Sequence, residues 1–450
     1  MKFLLTTHQF FPEFAAGTEV LTRGVARELI ARGHQVRVLT ARPSSAALPE
    51  AQRCDEYEFE GIHVYRFHHA YTPMAGQTAN ITLGYDNRLA ARYFASIVQQ
   101  YQPDLVHFFH LNRLGTGLIE HATSIGLPAY MTPTDFWPIC PTAQLMLPNG
   151  QPCTGPSPHA GNCVKHFARA AQATSGSVLS TIAPWVPTAV ADALVRWTRA
   201  GVLPPYPHHH EVQAIGARLP TNVARLNQLR RIMVPNRAMH EVLLRHGVQP
   251  EKVVECSFGV EDAPAPIGRP QRPSDQPLRL GYIGTLAPHK GVHILIDAFK
   301  TLPAERTTLQ IYGDPKELPD YAAKLQQLAA GHPGISFCGV FPNAAIAQVL
   351  AELDALVVPS LWLENTPLVL HSAQAARCPV VASDFSGISA LIEHEANGLL
   401  FEAGNASALA AQLGRLLAEP PLAQRLGAQA RPPKSTAQYV DELLQHWSAG

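Results

Sequence analysis

Short, β-branched apolar segments that alternate with helical stretches constrain the fold of this chain most strongly. In the C-terminal half these segments are LRLGYIG, LQIYG, ISFCG, ALVVPS, PVVAS and GLLF. Segments that are apolar throughout are typical of parallel strands that helices cover on both faces. The second half of the chain therefore predicts an open α/β domain.

The N-terminal half begins with the same kind of unit. KFLLTT predicts a strand, residues 19–32 carry apolar side chains at helical spacing, and Gly33 precedes a second strand, QVRVLT. A strand, a helix and a strand in this order predict a parallel pair. Further elements are predicted as a helix at residues 88–101 and strands at 105–109, 128–132, 231–235 and 253–257.

The chain of 450 residues is long for one core and suits two domains. DAPAPIGRPQRPSDQP is rich in proline and lacks periodicity, which is typical of a linker. Two α/β domains joined in this way predict a cleft at the carboxyl ends of both sheets. The predicted domains are residues 1–265 with a Cys- and Pro-rich insertion at 136–207, a linker at 266–277, a second domain at 278–430, and a last helix at 431–450 that packs back on the first domain.

The charges and cysteines narrow the class of protein. Lys+Arg and Asp+Glu number 35 each, so net charge gives no reason to expect nucleic acid or an anionic membrane as the main partner. An odd number of cysteines, seven, argues against a disulfide framework and for the reducing cytoplasm. The N-terminus lacks the features of a signal peptide, and no apolar run reaches the length of a transmembrane helix.

The stretch GTLAPHKGVHILIDAF follows a predicted strand and predicts a phosphate site. Gly284 and Gly291 allow tight turns, and Lys290 stands beside a helix that begins near Val292. A lysine beside free helix-start amides suits a phosphate, although a surface lysine in an ordinary strand–helix turn is the alternative. Neither a Walker loop nor a GxGxxG fingerprint is present.

The stretch PSLWLENTPLVLHSAQ combines a carboxylate with a second helix start. Thr366 suits the N-cap and Pro367 the first helical position. The first amides of that helix would point into the loop that carries Glu364, so the loop offers a positive dipole end to a diphosphate and a carboxylate to hydroxyls. The alternative is that Glu364 is a solvated loop residue.

Together these stretches resemble the retaining glycosyltransferases of family 4, the group 1 class with the GT-B fold. That fold consists of two Rossmann-like α/β domains that face each other across a deep cleft. The resemblance covers nearly the whole chain and is carried by the two stretches above together with FFPEFAAGTEVLTRGVARELIARGHQVRVLT, VHFFHL, RIMVPNRAMHEVLLRHGV, SFGVE and PVVASDFSGISALI.

The resemblance implies roles for individual residues. Glu364 would contact hydroxyls of the transferred sugar, Lys290 would neutralise the diphosphate, and His110 would contact the donor sugar. The donor-binding positions that it implies are Gly17, Gly284, Thr285, Gly313, Gly339, Asn365, Thr366, Pro367, Leu368, Val369 and Ser372.

The chain departs from the family pattern at three positions. Ser372 takes the place of the second glutamate of the E-x7-E motif, so we expect weaker or differently organised ribose recognition. Thr285 follows Gly284 where an arginine often stands nearby, which leaves Lys290 as the main cation. Thr134 precedes Asp135 in place of a histidine.

The resemblance implies transfer of a sugar from a UDP-, GDP-, ADP- or dTDP-linked donor to a glycan or lipid-linked acceptor. The expected setting is cell-surface polysaccharide synthesis in the cytoplasm, at the inner face of the membrane. No Asp-x-Asp pair is present, which favours metal-independent catalysis without a required cofactor. A nucleotide-sugar epimerase of the same architecture and a non-catalytic nucleotide-sugar-binding protein are the alternatives.

Two features of the insertion raise separate questions. Cys140, Cys153, Cys163 and His166 predict a structural Cys3His zinc site, and three free cysteines with a surface histidine are the alternative. Residues 178–203 are rich in apolar side chains but carry only Arg196 and Arg199 as cations. Because an amphipathic membrane anchor has more basic residues, we expect core or lid packing there, with peripheral membrane contact as the alternative.

Overall fold

The computed structural model describes residues 1–147, 149–175, 185–261, 273 and 275–448. The chain divides into two compact units, Met1–Ser257 with Tyr439–Gly450, and Phe258–Gln438. Both units are α/β structures built on largely parallel sheets, which confirms the predicted fold class. Most of the predicted linker, residues 266–272 and 274, lies outside the described residues.

The first unit contains one large sheet. Within the described residues its strands are β1 (Lys2–Thr7), β2 (Gln35–Pro43), β3 (Cys54–Phe59), β4 (Ile62–His69), β5 (Leu105–Phe108), β6 (Ala129–Met131), β7 (Arg231–Val234) and β8 (Val253–Glu255). They lie in the order β3-β4-β2-β1-β5-β6-β7-β8, and every neighbouring pair except β3–β4 is parallel.

Helices connect these parallel strands, as the alternation of the sequence predicts. Their bounds are α1 (Gly17–Ala31), α2 (Asn80–Tyr85), α3 (Arg88–Tyr101), α4 (Gly117–Ser124), α5 (Gly161–Ser175), α6 (Thr188–Arg199), α7 (His209–Leu226) and α8 (Arg237–Arg245). Helix α3 has the predicted bounds, and α1 begins at Gly17 rather than at residue 19. No described helix combines the length and the apolar character that crossing a bilayer requires.

The β3–β4 hairpin is an element that the sequence analysis missed. Side chains of CDEYEF and IHVYRFHH alternate between apolar and polar, which is typical of strands with one solvated face. The two residues between the strands, Glu60 and Gly61, have φ of 48° and 76°. Positive φ at both positions is the geometry of a tight two-residue hairpin turn, and Gly61 between the two strands was the signal for it in the sequence.

The second unit contains a fully parallel sheet. Its strands are β9 (Leu278–Ile283), β10 (Thr307–Tyr312), β11 (Ile335–Gly339), β12 (Ala355–Val358), β13 (Val380–Ser383) and β14 (Leu399–Phe401), in the order β11-β10-β9-β12-β13-β14. Its helices are α9 (Val292–Phe299), α10 (Pro319–Ala329), α11 (Ile346–Glu352), α12 (Leu368–Ala375), α13 (Ser386–Ser389), α14 (Ala406–Ala418) and α15 (Pro420–Ala428).

Buried side chains cover both faces of this second sheet. One cluster joins Leu280, Phe299 and Leu309, and a second joins Leu356 and Leu370. Because β9 and β12 are neighbours and parallel, their carboxyl ends open at the same edge of the sheet. The loops that carry Lys290 and Glu364 follow these two strands.

The last helix, α16 (Thr436–Ser448), buries its apolar side against the first unit. Trp447 donates its indole N–H to Nδ1 of His107 at 3.2 Å, and the hydroxyl of Tyr130 donates to the Trp447 carbonyl at 3.0 Å. Burial lowers the pKa of His107 to about 3, so the imidazole is neutral and can accept the indole proton.

Candidate functional site

Lys290 and Glu364 form an ion pair in the second unit. The Lys290 Nζ atom lies 2.7 Å from Glu364 Oε1, and the Ser360 hydroxyl donates to the same oxygen at 2.6 Å. The side chain of Glu364 is 5% exposed and that of Lys290 23% exposed. Glu364 is therefore not a solvated loop residue, and Lys290 is not an isolated surface lysine.

Two backbone contacts hold the loops of this pair together. Gly291 has φ of 72°, and a Cβ on it would lie 1.9 Å from the carbonyl oxygen of Pro359. The Leu361 amide also donates to the His289 carbonyl at 2.8 Å. Any side chain at residue 291 would separate the two loops, so glycine at this position is what brings Lys290 to Glu364.

Lys290 carries the positive charge of these two loops, because the histidine beside it is neutral. Its Nζ atom lies 5.2 Å from the centre of the Trp362 ring. Burial and the charge of Lys290 lower the pKa of the adjacent His289 to about 4, so that imidazole is neutral. Burial and the charge of Glu364 raise the pKa of Tyr282, whose hydroxyl donates to the Thr285 carbonyl at 2.7 Å.

The predicted start of α12 is wrong by one residue. The helix begins at Leu368, and Pro367 is the residue before it, with ψ of 118° and no side-chain cap. The Thr366 hydroxyl donates to the carbonyl of its neighbour Asn365 instead of capping the helix. The amides of Leu368 and Val369 are the first of the helix, and first-turn amides have no preceding helical carbonyl to bond.

Ser372 lies one turn into α12 and makes a bond that the sequence did not reveal. Its hydroxyl donates to the Leu368 carbonyl at 3.3 Å, the backbone contact that serine favours inside helices. With its proton used in this way, the hydroxyl is left as an acceptor for a ligand. A carboxylate at this position would have no proton to give to the backbone.

Three of the glycines for which donor contacts are predicted meet at the same edge of the sheet. Gly284 follows β9, Gly313 follows β10, and Gly339 ends β11. The Gly313 amide donates to the Gly339 carbonyl at 2.9 Å, and a Cβ on Gly313 would lie 2.4 Å from the Gly284 carbonyl oxygen. The ends of these three strands therefore pack closely together, and glycine at residue 313 is what allows this packing.

Gly387 is a site residue that the sequence analysis missed. It lies in α13, after the next strand of the sheet, and a Cβ on it would lie 1.7 Å from the Glu364 carbonyl oxygen. Gly387 therefore fixes the backbone of Glu364 from the side of β13, while the loop of Lys290 follows β9 on the other side of β12. The SG step directly after PVVASDF was the available signal, because a glycine at a strand–helix turn often marks a close backbone approach.

The first unit has a polar cluster at the corresponding edge of its own sheet. His110 follows β5 and donates from Nε2 to Asp135 Oδ2 at 2.9 Å, while its Nδ1 accepts the Asn112 amide proton at 3.1 Å. These two partners assign the proton of the neutral ring to Nε2. The His8 ring, which follows β1, lies 4.0 Å from the His110 ring, centre to centre.

His8 and Glu19 extend this cluster and were missed from the sequence. His8 Nδ1 lies 3.8 Å from Glu19 Oε1, and the Glu19 side chain is fully buried. Burial and the nearby His110 and Arg113 hold the pKa of His8 well below its usual value, so its ring is neutral. A histidine directly after β1 and an acid in the first turn of α1 were the signals, because strand and helix ends meet at this edge.

Gly17 is the first residue of α1 and precedes Glu19 of this cluster by two residues; it is exposed. The hydroxyl of Thr18 donates to the hydroxyl of Thr134 at 2.7 Å. This bond ties the start of α1 to the loop that carries Asp135. Gly17 and His110 thus belong to the first unit, whereas the other predicted donor contacts belong to the second.

The four candidate zinc ligands, Cys140, Cys153, Cys163 and His166, line one cavity of about 20 Å³. Among the residues that the structure describes, however, no group of three or more His, Cys, Asp or Glu side chains is arranged to hold a metal ion. Burial raises the pKa of the Cys163 thiol to about 12 and also raises that of Cys153. Zinc at this place stays a prediction.

Comparison with known protein families gives two matches that do not overlap. Residues 16–175 match the family described as "Glycosyl transferase 4-like domain". Residues 277–419 match the family described as "Glycosyl transferases group 1". The first match contains His110, and the second contains Lys290, Glu364 and Gly387.

Curated relatives agree with these matches over part of their length. The "Amylovoran biosynthesis glycosyltransferase AmsK" of Erwinia amylovora is 32% identical over 194 residues, which are 40% of this chain and 46% of that protein. The "Putative colanic acid biosynthesis glycosyltransferase WcaL" of Salmonella typhimurium is 28% identical over 177 residues, 37% of this chain and 42% of that protein. The matched region thus spans less than half the length of these relatives.

Among solved structures, HepE of Anabaena in complex with UDP and glucose has a TM-score of 0.65 and 17% identity, with all of both chains covered. At this identity the likeness concerns the fold, which is that of GT-B glycosyltransferases. The chain belongs to the group 1 glycosyl transferases, with a glycosyl transferase 4-like domain toward its N-terminus and a group 1 domain toward its C-terminus.

Proposed function

We propose that this protein transfers a sugar from a nucleotide-sugar donor to a glycan or lipid-linked acceptor during cell-surface polysaccharide synthesis. The proposed reaction is a hexosyl transfer that retains the anomeric configuration and needs no metal ion. The protein would act in the cytoplasm, at the inner face of the membrane.

The ion pair between Lys290 and the buried Glu364 carries this proposal. A carboxylate that is 5% exposed is costly to maintain unless charged and polar groups satisfy it, as Lys290 and Ser360 do. Such a pair at the open edge of a parallel sheet, beside the ends of three strands and a helix start, suits a charged ligand rather than stability alone.

A nucleotide sugar has one group for each part of this arrangement. Its diphosphate would draw the Lys290 ammonium from Glu364 and would accept hydrogen bonds from the Leu368 and Val369 amides. Glu364, released from the lysine but still bonded by Ser360, would accept hydrogen bonds from sugar hydroxyls. The glycines at residues 284, 313 and 339 would let the nucleotide approach the backbone closely.

The chemistry follows from the charge that develops on the leaving group. As the sugar–oxygen bond breaks, negative charge grows on the β-phosphate, and a fixed cation with helix-start amides stabilises it. The acceptor hydroxyl would attack on the face from which the phosphate leaves and would give its proton to the departing phosphate oxygen, so the configuration is preserved. Lys290 would supply the charge that a metal ion supplies elsewhere, so chelators should leave turnover unchanged.

The relatives support the setting of this proposal. AmsK and WcaL are described as glycosyltransferases of amylovoran and colanic acid biosynthesis, and the HepE structure contains UDP and glucose. His110, which Asp135 orients, is proposed to contact the donor sugar. A nucleotide-sugar epimerase and a non-catalytic nucleotide-sugar-binding protein are the competing functions.

A thermal-shift screen followed by a turnover assay tests the proposal. We expect one set of UDP, GDP, ADP or dTDP compounds to raise the melting temperature, because a ligand of the folded state stabilises it. Nucleotide release that requires an added acceptor would support transfer, whereas conversion of the donor without acceptor would indicate an epimerase. Binding without any turnover would indicate a binding protein, and silence across all four nucleotides would contradict all three functions.

A further inference from the structure

Exposed apolar side chains are concentrated on one segment of the first unit. Of the eleven large apolar side chains that are exposed among the described residues, five lie between residues 185 and 202: Trp185, Val190, Leu194, Trp197 and Val202. Trp185 is 86% exposed and Trp197 51% exposed. Core or lid packing, which the sequence predicts for residues 178–203, is therefore wrong for these side chains; residues 178–184 lie outside the described residues.

Helix α6 presents this apolar surface because it has two apolar sides. Ala191, Val195 and Thr198 are buried, and a Cβ on Gly216 of α7 would contact Val195, so this side packs on α7. Val190, Leu194 and Trp197 follow the same i, i+4, i+7 spacing one position earlier, which turns them about 100° away from the packed side. We call these three residues the apolar helix face.

Two further exposed apolar side chains flank α6 in the chain. The Val202 amide donates to the Trp197 carbonyl at 3.1 Å, which holds Val202 beside the last turn of α6. Trp185 lies three residues before the first residue of the helix. Exposed tryptophans with an apolar helix face are typical of segments that lie at the boundary between lipid headgroups and acyl chains.

The exposed charged side chains of α6 are of one sign. Arg196 and Arg199 are exposed on the last turns of α6. The acidic residue of the helix, Asp192, is used internally, because it accepts hydrogen bonds from the Ser157 hydroxyl and the Gly161 amide. The outer surface of α6 therefore offers two cations beside an apolar stripe, which complements a negatively charged surface.

We propose that the apolar helix face, with Arg196 and Arg199, docks on the surface of an anionic lipid bilayer. Leu194 and Trp197 would enter the headgroup boundary, and the two guanidinium groups would pair with lipid phosphates. This inference deepens the proposed function by naming the surface that meets the membrane. It rests on the proposed function only for its biological purpose, because lipid binding does not depend on glycosyl transfer.

The composition of the surface, rather than its size, favours a bilayer over a second copy of the chain. Counted at about 200 Å² for a fully exposed tryptophan and less for the smaller side chains, the five residues offer on the order of 500–600 Å² of apolar area. A stable protein–protein interface buries about 800 Å² on each partner, of which somewhat more than half is apolar, so area alone does not decide between the two occupants. Two exposed tryptophans and two exposed arginines favour the bilayer, because tryptophan rings lie at the headgroup level and anionic lipids attract Lys and Arg.

Vesicle sedimentation with matched double variants tests this proposal. The test variant is Leu194→Ser with Trp197→Ser, whose parent side chains are 40% and 51% exposed. The control is Ile30→Ser with Ile125→Ser, whose parent side chains are 38% and 53% exposed in the same unit. The probes are vesicles of phosphatidylglycerol with phosphatidylethanolamine, and vesicles of phosphatidylcholine alone.

We expect the wild type and the control to sediment with anionic vesicles, and the test variant to bind them at least about tenfold more weakly. Arg196→Gln with Arg199→Gln should weaken binding to anionic vesicles and remove its dependence on salt. Thermal unfolding and nucleotide binding, measured on every variant, separate this result from misfolding and from failure of the proposed function.

Two results would overturn the proposal. The first is that the wild type fails to bind anionic vesicles, or that the test variant binds them as the wild type does. The second is that the wild type is a dimer in solution and the test variant a monomer, which would make the apolar helix face a self-association surface.

Discussion

Replacing Lys290 by alanine probes the ion pair on which the proposed site depends. The change leaves Glu364, 5% exposed, without its cation. Removing one partner of a fully buried pair costs about 3–5 kcal/mol. Because Lys290 itself is partly exposed and Ser360 still donates to the carboxylate, we expect a smaller loss, about 2–3 kcal/mol in the free energy of unfolding.

The same variant should lose activity for a different reason. Without the ammonium group, charge on the departing diphosphate is stabilised by helix-start amides alone, so we expect kcat to fall about 10²- to 10³-fold. Denaturant unfolding measures the first effect, and acceptor-dependent nucleotide release at saturating donor measures the second. Lys300→Ala is the matched control, because that exposed lysine of the same unit donates to a backbone carbonyl and should change stability by no more than about 0.5 kcal/mol.

A double-mutant cycle with Glu364→Gln isolates the pair. In the glutamine background, Lys290→Ala should cost about 1–2 kcal/mol less than in the wild type, since no buried charge is left behind. The reasoning would be refuted by a Lys290→Ala protein that unfolds within about 0.5 kcal/mol of the wild type and keeps kcat within about threefold.

Three further predictions concern close packing, acid stability and metal. In denaturant unfolding, Gly387→Ala should lower stability by about 2 kcal/mol or more, because its Cβ would meet the Glu364 carbonyl at 1.7 Å; it should also weaken donor binding. Gly414→Ala is the control: its Cβ would have nothing within 4 Å, so the change should be neutral or stabilising by up to about 1 kcal/mol. Burial, with the charge of Lys290 at one ring and of Lys434 at the other, lowers the pKa of His289 and of His371 to about 4. Between about pH 6.5 and pH 4 these histidines are protonated in the unfolded chain but not in the folded chain. The free energy of unfolding should therefore decrease as the pH is lowered through this range, by up to about 1.4 kcal/mol per pH unit for each histidine. A flat profile would contradict this. For the predicted zinc site we expect about one zinc per chain by metal analysis; absence of zinc, with Cys153→Ser as stable as the wild type, would remove it.

The sequence predicts the fold well wherever local pattern decides the structure. The strand residues ALVV are apolar and buried on both faces, a pattern that is typical of a central strand in a parallel sheet. The β3–β4 hairpin was missed because its half-solvated strands follow a different pattern from the rest of the sheet. The start of α12 was misplaced because Pro367 has an extended ψ, which the preference of proline for a first helical position does not reveal.

Site residues could be predicted only where a linear motif carried them. Lys290 and Glu364 lie 74 positions apart, and a family resemblance brought them together before the structure did. Gly387 and His8 each have a local signal at a strand end, but their partners Glu364 and His110 are distant in the chain, so the signals alone did not identify the contacts. The bond of Ser372 to Leu368 likewise depends on a rotamer, which sequence does not specify.

Titration calorimetry of UDP, GDP, ADP and dTDP sugars against the wild type and Lys290→Ala tests the central claim most directly. We predict that at least one of these donors binds the wild type. Lys290→Ala should bind that donor at least about tenfold more weakly, and Lys300→Ala should bind it with the affinity of the wild type. Equal affinity of Lys290→Ala and the wild type for the same donor would contradict the claim that the edge of the second sheet grips a diphosphate through this lysine.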